Sequence, residues 1–257
     1  MILRRVINHF RKQEWTAIAL DFLIVVAGIL IAFRITEWNE VRRDRARERD
    51  YLERIAAELE HTIVEIEDAI RISHEREEMG RFLIRSVDEP ALVNAEPGRF
   101  VKAVVQAGYT FSPTIRAHTF EEMKSAGDLA IFRDKALLFD ISEFYTEVQG
   151  SAQWNYLREL VQTEYTKRRA GILTNALTPE AMKLVETAKV SPEDAEGAYA
   201  RMLERPAFIE WLPIMSNRGD DLRLYGNWLS AATDLRTRIL TGLGEGPRAD
   251  SHEEPQQ

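Results

Sequence analysis

ALDFLIVVAGILIAFRITEWNE, residues 19–40, is the stretch that decides the fold. The run from residue 17 to residue 33 contains a single charged side chain, Asp21. At about 1.5 Å per residue it forms roughly 26 Å of helix, near the lower limit for crossing ~30 Å of hydrocarbon. Trp15 and Trp38 bracket the run about 35 Å apart, a spacing that suits one indole at each membrane interface. The stretch predicts a transmembrane helix over residues 16–36, with Trp15 and Trp38 as interface anchors.

Three structures compete for this run. A cleaved signal peptide needs small residues of the A-x-A kind after the apolar core, and the run ends instead in FRITEW. A soluble core helix with no polar face would need a large domain wrapped around it. A retained single-pass anchor in a lipid bilayer needs neither, and we favour it.

Charge on the two flanks bears on orientation. Residues 34–53 hold six arginines and six acids, so a count of basic residues alone favours this flank inside the cell. The tail, residues 1–15, is basic, and its apolar side chains lie on one helical face, as suits the anionic cytoplasmic leaflet. We expect the N-terminus inside and the soluble domain in the periplasm or outside the cell.

Three positions in the span are candidates for assembly. An ionised Asp21 in hydrocarbon costs a few kcal/mol, so it either snorkels to an interface, faces a partner helix, or belongs to a proton or ion pathway. Gly28 and Ala32 form a small-xxx-small pattern that lets two helices approach closely. We therefore interpret Asp21, Gly28 and Ala32 as transmembrane assembly residues.

The helix is expected to continue beyond the span. Neither Gly nor Pro occurs from residue 29 to residue 79, which predicts a stalk helix over residues 37–88. Apolar residues from Leu52 to Ser73 recur every three or four positions. This face either forms a short coiled-coil seam with a second chain or packs on the protein's own later helices, and we favour the second alternative.

Residues 89–241 predict an all-α soluble domain, an antiparallel helical bundle packed with the stalk. Helix signals include a capping box at Thr119, a cap at Asp134, and Thr178-Pro179 and Ser191-Pro192 entries. Gly150 is a weak point in a helix running from Asp134 to Tyr165. Pro213 is expected to break a short apolar helix, and the last helix covers about residues 220–240. The long helix from Asp134 to Tyr165 carries Phe139, Leu157 and Leu160 among its apolar positions, and Trp154 and Trp228, on amphipathic faces, are expected in the core. Residues 242–257 predict a disordered tail.

Composition excludes several classes of function. A net charge of −8 argues against nucleic-acid binding, and the absence of cysteine removes disulfides and thiolate chemistry. Glu58-x-x-His61 is half of a di-metal pattern without a second half, and His118 is expected to hold a turn. No catalytic motif is present, so we expect no catalytic residue, metal or cofactor.

Two segments carry paired motifs: residues 28–40 contain GILIA and WNE, and residues 119–145 begin TFEEMKSAGDL. In this order they resemble a family of uncharacterised bacterial single-pass membrane proteins, a domain of unknown function. The resemblance implies an anchor in the bacterial cytoplasmic membrane and a signature surface at Thr119, Glu121, Glu122, Lys124 and Gly127. Its members often carry an acidic residue at the position of Asp21. This chain departs from the pattern at Arg34, where Gln is usual, and at Phe144, where a second tyrosine is usual.

The leading hypothesis is a membrane-anchored helical interaction, sensor or scaffold domain. It would bind a protein partner or a second copy through the transmembrane and stalk helices. The alternatives are a membrane-bound enzyme, whose site is built from scattered Glu, His and Arg residues, and a purely structural membrane oligomer.

Overall fold

The computed structural model describes residues 15–182 and 189–244, and every regular element in these ranges is helical. The predicted all-α fold is confirmed. Residues 1–14 of the predicted tail, and residues 245–257 of the predicted disordered end, lie outside the described residues. The helices are α1 (Trp15–Asp88), α2 (Ala91–Ala95), α3 (Pro97–Gln106), α4 (His118–Ala126), α5 (Lys135–Gly150), α6 (Ala152–Arg169), α7 (Leu177–Met182), α8 (Pro192–Leu203), α9 (Pro206–Ser216) and α10 (Gly219–Leu243), with a 3₁₀ turn at Asp128–Ile131.

Helix α1 runs for 74 residues without interruption and ends just before Pro90, as the sequence predicts. The chain forms two compact units, Met1–Tyr51 and Leu52–Gln257, so the predicted stalk is divided between them. In the second unit the face carrying Ile55, Leu59 and Ile66 is fully buried by this chain's own helices. The stalk face therefore packs within the chain, as the favoured alternative predicts.

The main core of the second unit lies where the end of α1 meets α3, α6, α8 and α9. It is built on large side chains from all five helices: Phe82, Phe100, Tyr165, Met202 and Phe208. Helix α3 packs on α7 and α8, α9 packs on α6 and α8, and α10 packs on α5. Burial of these apolar side chains is the main force that holds the helices together.

One close helix crossing depends on a glycine inside α1. A Cβ built on Gly80 would lie 2.1 Å from the Cβ of Ser216 in α9, well inside van der Waals contact. The absent side chain therefore lets the two backbones approach, and a larger residue would push them apart.

Three predicted helix caps are confirmed. The Asp134 carboxylate accepts from the backbone N–H of Leu137 at 2.9 Å, and the Ser191 hydroxyl accepts from that of Asp194 at 3.1 Å. Gly127 closes α4 at φ 74°, a left-handed conformation that favours glycine. These signals act over a few residues, so they are visible in the sequence.

Other predicted boundaries are wrong. Helix α7 begins at Leu177, so Thr178 lies inside the helix and is not its cap. Helix α9 continues through Pro213 to Ser216, and the proline does not end it. The helix predicted from Asp134 to Tyr165 is two helices, α5 and α6, which meet at Ser151 just after the predicted weak point.

The capping box predicted at Thr119 is also wrong. The N-cap of α4 is Ala117, which has no side chain able to cap, and Thr119 is the second residue of the helix. Its hydroxyl faces another helix, where it meets a carboxylate of α1.

One of the two tryptophans expected in the core is exposed, as are other apolar side chains of the predicted long helix. Trp228 is buried, as predicted, but Trp154 is 54% exposed and Phe139 is exposed as well. Leu157 and Leu160 of α6 are also open to solvent. The apolar residues of α6 recur at helical spacing and form one face of the helix. No described helix covers that face, and part of it lines a cleft.

Candidate functional site

Most large side chains in the apolar segment of α1 are exposed. Among the described residues one helix, from Phe22 onward, is long and apolar enough to cross a membrane, and no part of its apolar window is buried. A core helix of a soluble protein would be mostly buried, so this exposure disfavours that alternative. The large exposed side chains are Leu20, Phe22, Leu23, Ile24, Val25, Ile29, Leu30, Ile31, Phe33, Ile35 and Trp38.

The predicted assembly residues lie in this segment. A Cβ built on Gly28 meets no described atom within 4 Å, and Ala32, one turn further on, is exposed. The small face is therefore open along the segment. Asp21 and Trp15 belong to α1, but their side chains lie outside the described set.

The end of the segment carries an aromatic and charged border. Trp38 is 61% exposed, and the Arg42 guanidinium lies 5.9 Å from its ring centroid. Arg34 pairs with Glu37 at 3.4 Å. An exposed indole among arginines has the amphipathic character of a membrane-interface residue.

The segment Thr119–Gly127, the predicted signature surface, is held against α1 by Glu58. One carboxylate oxygen of Glu58 accepts from the backbone N–H of Thr119 at 3.0 Å and from its hydroxyl at 2.7 Å. Thr119 is 1% exposed, so both donors depend on this carboxylate. Glu58 thus caps α4 from another helix and places a negative charge at the positive end of the α4 dipole.

The acidic residues of this segment bind neighbouring helices. Glu122 forms an ion pair with Arg54 of α1, and the hydrogen bond from Arg54 lowers the pKa of Glu122. Glu121 accepts from Gln149 of α5 at 2.8 Å and from Lys124 at 3.2 Å, and these bonds lower the pKa of Glu121. The structure therefore brings the predicted residues together as a joint between α1, α4 and α5.

Aromatic packing completes this joint. Phe120 stacks on Tyr145 of α5 with ring centroids 4.9 Å apart, and Lys124 lies 5.4 Å from the Phe120 centroid. Burial raises the pKa of Tyr145 above its ordinary value, with the Glu58 charge adding to the effect. Thr119 and Phe120 are buried, so the outward surface of the segment consists of its exposed residues, Glu121, Glu122, Lys124, Ser125, Ala126 and Gly127.

A second feature is a cleft of about 340 Å³, bordered by α6, the end of α9 and the start of α10. Two of the arginines that line it are buried, Arg158 and Arg218, whose side chains are 9% and 5% exposed. Sequence reasoning missed this cleft. The ion pair in the cleft joins Arg158 to Asp221, which is 63 positions further along the chain. The apolar pattern of α6 is the sole indication of the cleft in the local sequence.

The histidine pattern on α1 forms no site among the described residues. Glu58 is engaged by Thr119, and His61 is exposed to solvent. Within residues 15–182 and 189–244, no group of three or more His, Cys, Asp and Glu side chains is placed to hold a metal ion. His118 is exposed in the first turn of α4.

Comparisons with models of protein families, with curated proteins and with solved structures find no match to this chain. The resemblance of residues 28–40 and 119–145 to a family of bacterial single-pass membrane proteins therefore stays a prediction.

Proposed function

We propose that the protein is a membrane-anchored helical interaction domain. One helix crosses the bacterial cytoplasmic membrane with the N-terminus inside, and the soluble domain lies on the other side. The observation that carries this proposal is the uncovered apolar segment of α1, whose large side chains, apart from the partly covered Val26, are half or more exposed. A patch of this size on a soluble protein marks a surface that a membrane or a partner covers.

The energetics favour lipid as the cover. Burying each Leu, Ile or Phe side chain contributes about 1.5–3 kcal/mol, and the exposed side chains of the segment surround the helix. A protein partner would cover one side of a helix, whereas hydrocarbon covers all sides. The exposed Trp38 beside Arg42 supplies the interfacial border that a span requires.

Membrane fractionation with alkaline carbonate extraction tests the anchor. The double variant Val25→Arg with Ile29→Arg places two charges in the span, each costing about 2.5–3.5 kcal/mol at a helix centre, so it should leave the membrane fraction. The matched control is Val64→Arg with Leu203→Arg, at positions that are exposed and apolar but outside the span. Retention of both variants in the extracted membrane would refute the anchor.

Reporter fusions at the C-terminus test the orientation. Alkaline phosphatase should be active and a cytoplasmic fluorescent protein dark. The opposite pair of results would place the soluble domain inside, as the larger number of arginines downstream of the span would favour.

A protein contact within the membrane is the second part of the proposal. The open face at Gly28 and Ala32 supports close approach of a second copy of the helix. Crosslinking in membranes should trap a dimer, and Gly28→Ile should abolish it while Ala27→Ile, about 100° around the helix, does not. Equal crosslinking in all three proteins would exclude a homo-oligomer through this face.

A further inference from the structure

The cleft beside α6 has the form of a small-molecule site. Trp154, Leu157 and Val161 follow each other along one side of α6 and line it, with Ile214 of α9 opposite. Trp154 and Ile214 are more than half exposed, so the apolar walls are open. Ligand sites usually enclose about 300–1,000 Å³, and this cleft has about 340 Å³.

Two buried guanidinium groups line the inner part of the cleft. Arg158 donates from Nε to the Asp221 carboxylate at 2.7 Å and from Nη1 to Asn155 at 2.8 Å. Arg218 donates from Nη2 to the carbonyl oxygens of Ala107 and Tyr109, at 2.9 and 3.1 Å. Both side chains are thereby held rigidly in place.

The two arginines are not fully compensated. The Asp221 carboxylate serves both, and it lies 3.9 Å from Nη1 of Arg218. The buried Nε of Arg218 has no hydrogen-bond partner in the described part of the chain. Arg223, also in the lining, pairs with Asp220 at 3.0 Å, so three arginines face two carboxylates and one positive charge is in excess.

A structural role for Arg218 explains part of this arrangement. Its two carbonyl partners lie just after the last turn of α3, where a cation offsets the helix dipole. That role uses one nitrogen, Nη2, and it does not account for the second buried arginine, Arg158, in the same cleft. A buried cation with incomplete pairing is costly, and an anion bound beside it relieves that cost.

We propose that this cleft binds a small organic carboxylate that carries an apolar group. The carboxylate faces Arg158 and Arg218, which present fixed N–H donors, and the apolar group lies against Trp154 and Leu157. Guanidinium groups are suited to a planar carboxylate because their donors match its two oxygens. The inference goes beyond the proposed membrane function and does not depend on it.

Calorimetric titration of the full chain in zwitterionic lipid nanodiscs tests the proposal. The probes are 4-phenylbutyrate and its neutral analogue 4-phenylbutyramide, which share shape and apolar group and differ in charge. We expect the carboxylate to bind at least tenfold more tightly than the amide. Equal affinity for the two probes, or binding of neither, would overturn the proposal.

Two exposed positions in the lining give variants that should still fold, which far-UV circular dichroism checks. Asn227→Asp adds a negative charge to the cleft and should weaken 4-phenylbutyrate at least tenfold, while Asn175→Asp, an exposed site outside the lining, should not. Trp154→Ala should weaken both probes. If Asn227→Asp and Asn175→Asp bind alike, the carboxylate does not lie at the arginines. None of these results affects membrane extraction, so the two proposals fail separately.

Discussion

Replacing Glu58 by Ala should destabilise the second unit more than any other single change to an acidic residue on that part of α1. The substitution removes the acceptor for the backbone N–H and the hydroxyl of Thr119. Thr119 is 1% exposed, so water does not replace the lost partner easily. The start of α4 then has no cap, because Ala117 supplies none.

The magnitude follows from these contacts. A hydrogen bond to a charged acceptor contributes about 1.5–3 kcal/mol, and loss of a helix cap costs about 0.5–2 kcal/mol. The two energies are not added, because the same two hydrogen bonds make the cap. Glu58 is only half-buried, so contact with solvent reduces the contribution of these bonds. We expect a loss of about 2 kcal/mol in the free energy of unfolding, or roughly 4–8 °C in Tm for a unit of this size.

Urea unfolding of the full chain in detergent micelles, followed by tryptophan fluorescence, measures this loss. The matched control is Glu60→Ala, two residues further along α1. Glu60 pairs with Arg236 at 3.1 Å but is 65% exposed, and such surface pairs contribute less than about 1 kcal/mol. A double-mutant cycle of Glu58→Ala with Thr119→Val isolates the hydroxyl bond.

Two outcomes would refute this reasoning. The first is a loss in Glu58→Ala no larger than in Glu60→Ala. The second is additivity of Glu58→Ala and Thr119→Val within about 0.5 kcal/mol, since independent sites add to that precision. Either result would mean that α4 is positioned by Phe120 and its aromatic contact and not by the carboxylate.

Two further predictions concern stability. Gly80→Ala should lower the free energy of unfolding by about 1–3 kcal/mol, because the added Cβ would overlap Ser216. The control Gly226→Ala has open space around it in α10 and should raise the free energy of unfolding by about 0.5–1 kcal/mol. Equal effects of the two substitutions in urea unfolding would contradict the close crossing of α1 and α9. Glu122→Gln should lower the Tm at pH 7 and leave it unchanged in acid. The hydrogen bond from Arg54 lowers the pKa of Glu122, so its contribution is present above the unfolded pKa of about 4.3 and disappears as pH falls through the lower folded value. A Tm difference that persists at pH 2 would contradict it.

The features predicted correctly depend on neighbours in the sequence. Asp134 and Ser191 cap helices through bonds to N–H groups three residues away, and Gly127 adopts the left-handed conformation that ends α4. Thr119 has the same local signal as these caps, yet it faces α1. The competing acceptor, Glu58, lies 61 residues away, and nothing in the local pattern reveals it.

The sequence by itself determined the helical class, the uninterrupted α1 and its apolar segment, because propensity, periodicity and the placement of Gly and Pro act over one or two turns. The tertiary structure decided which apolar faces are covered. Trp154 and Trp228 have similar settings on amphipathic helices, but one lines an open cleft and the other is buried against its neighbours. The tertiary structure also brought Arg158, Arg218 and Asp221 together, because burial and charge pairing between distant residues depend on how helices pack and not on the order of residues within them.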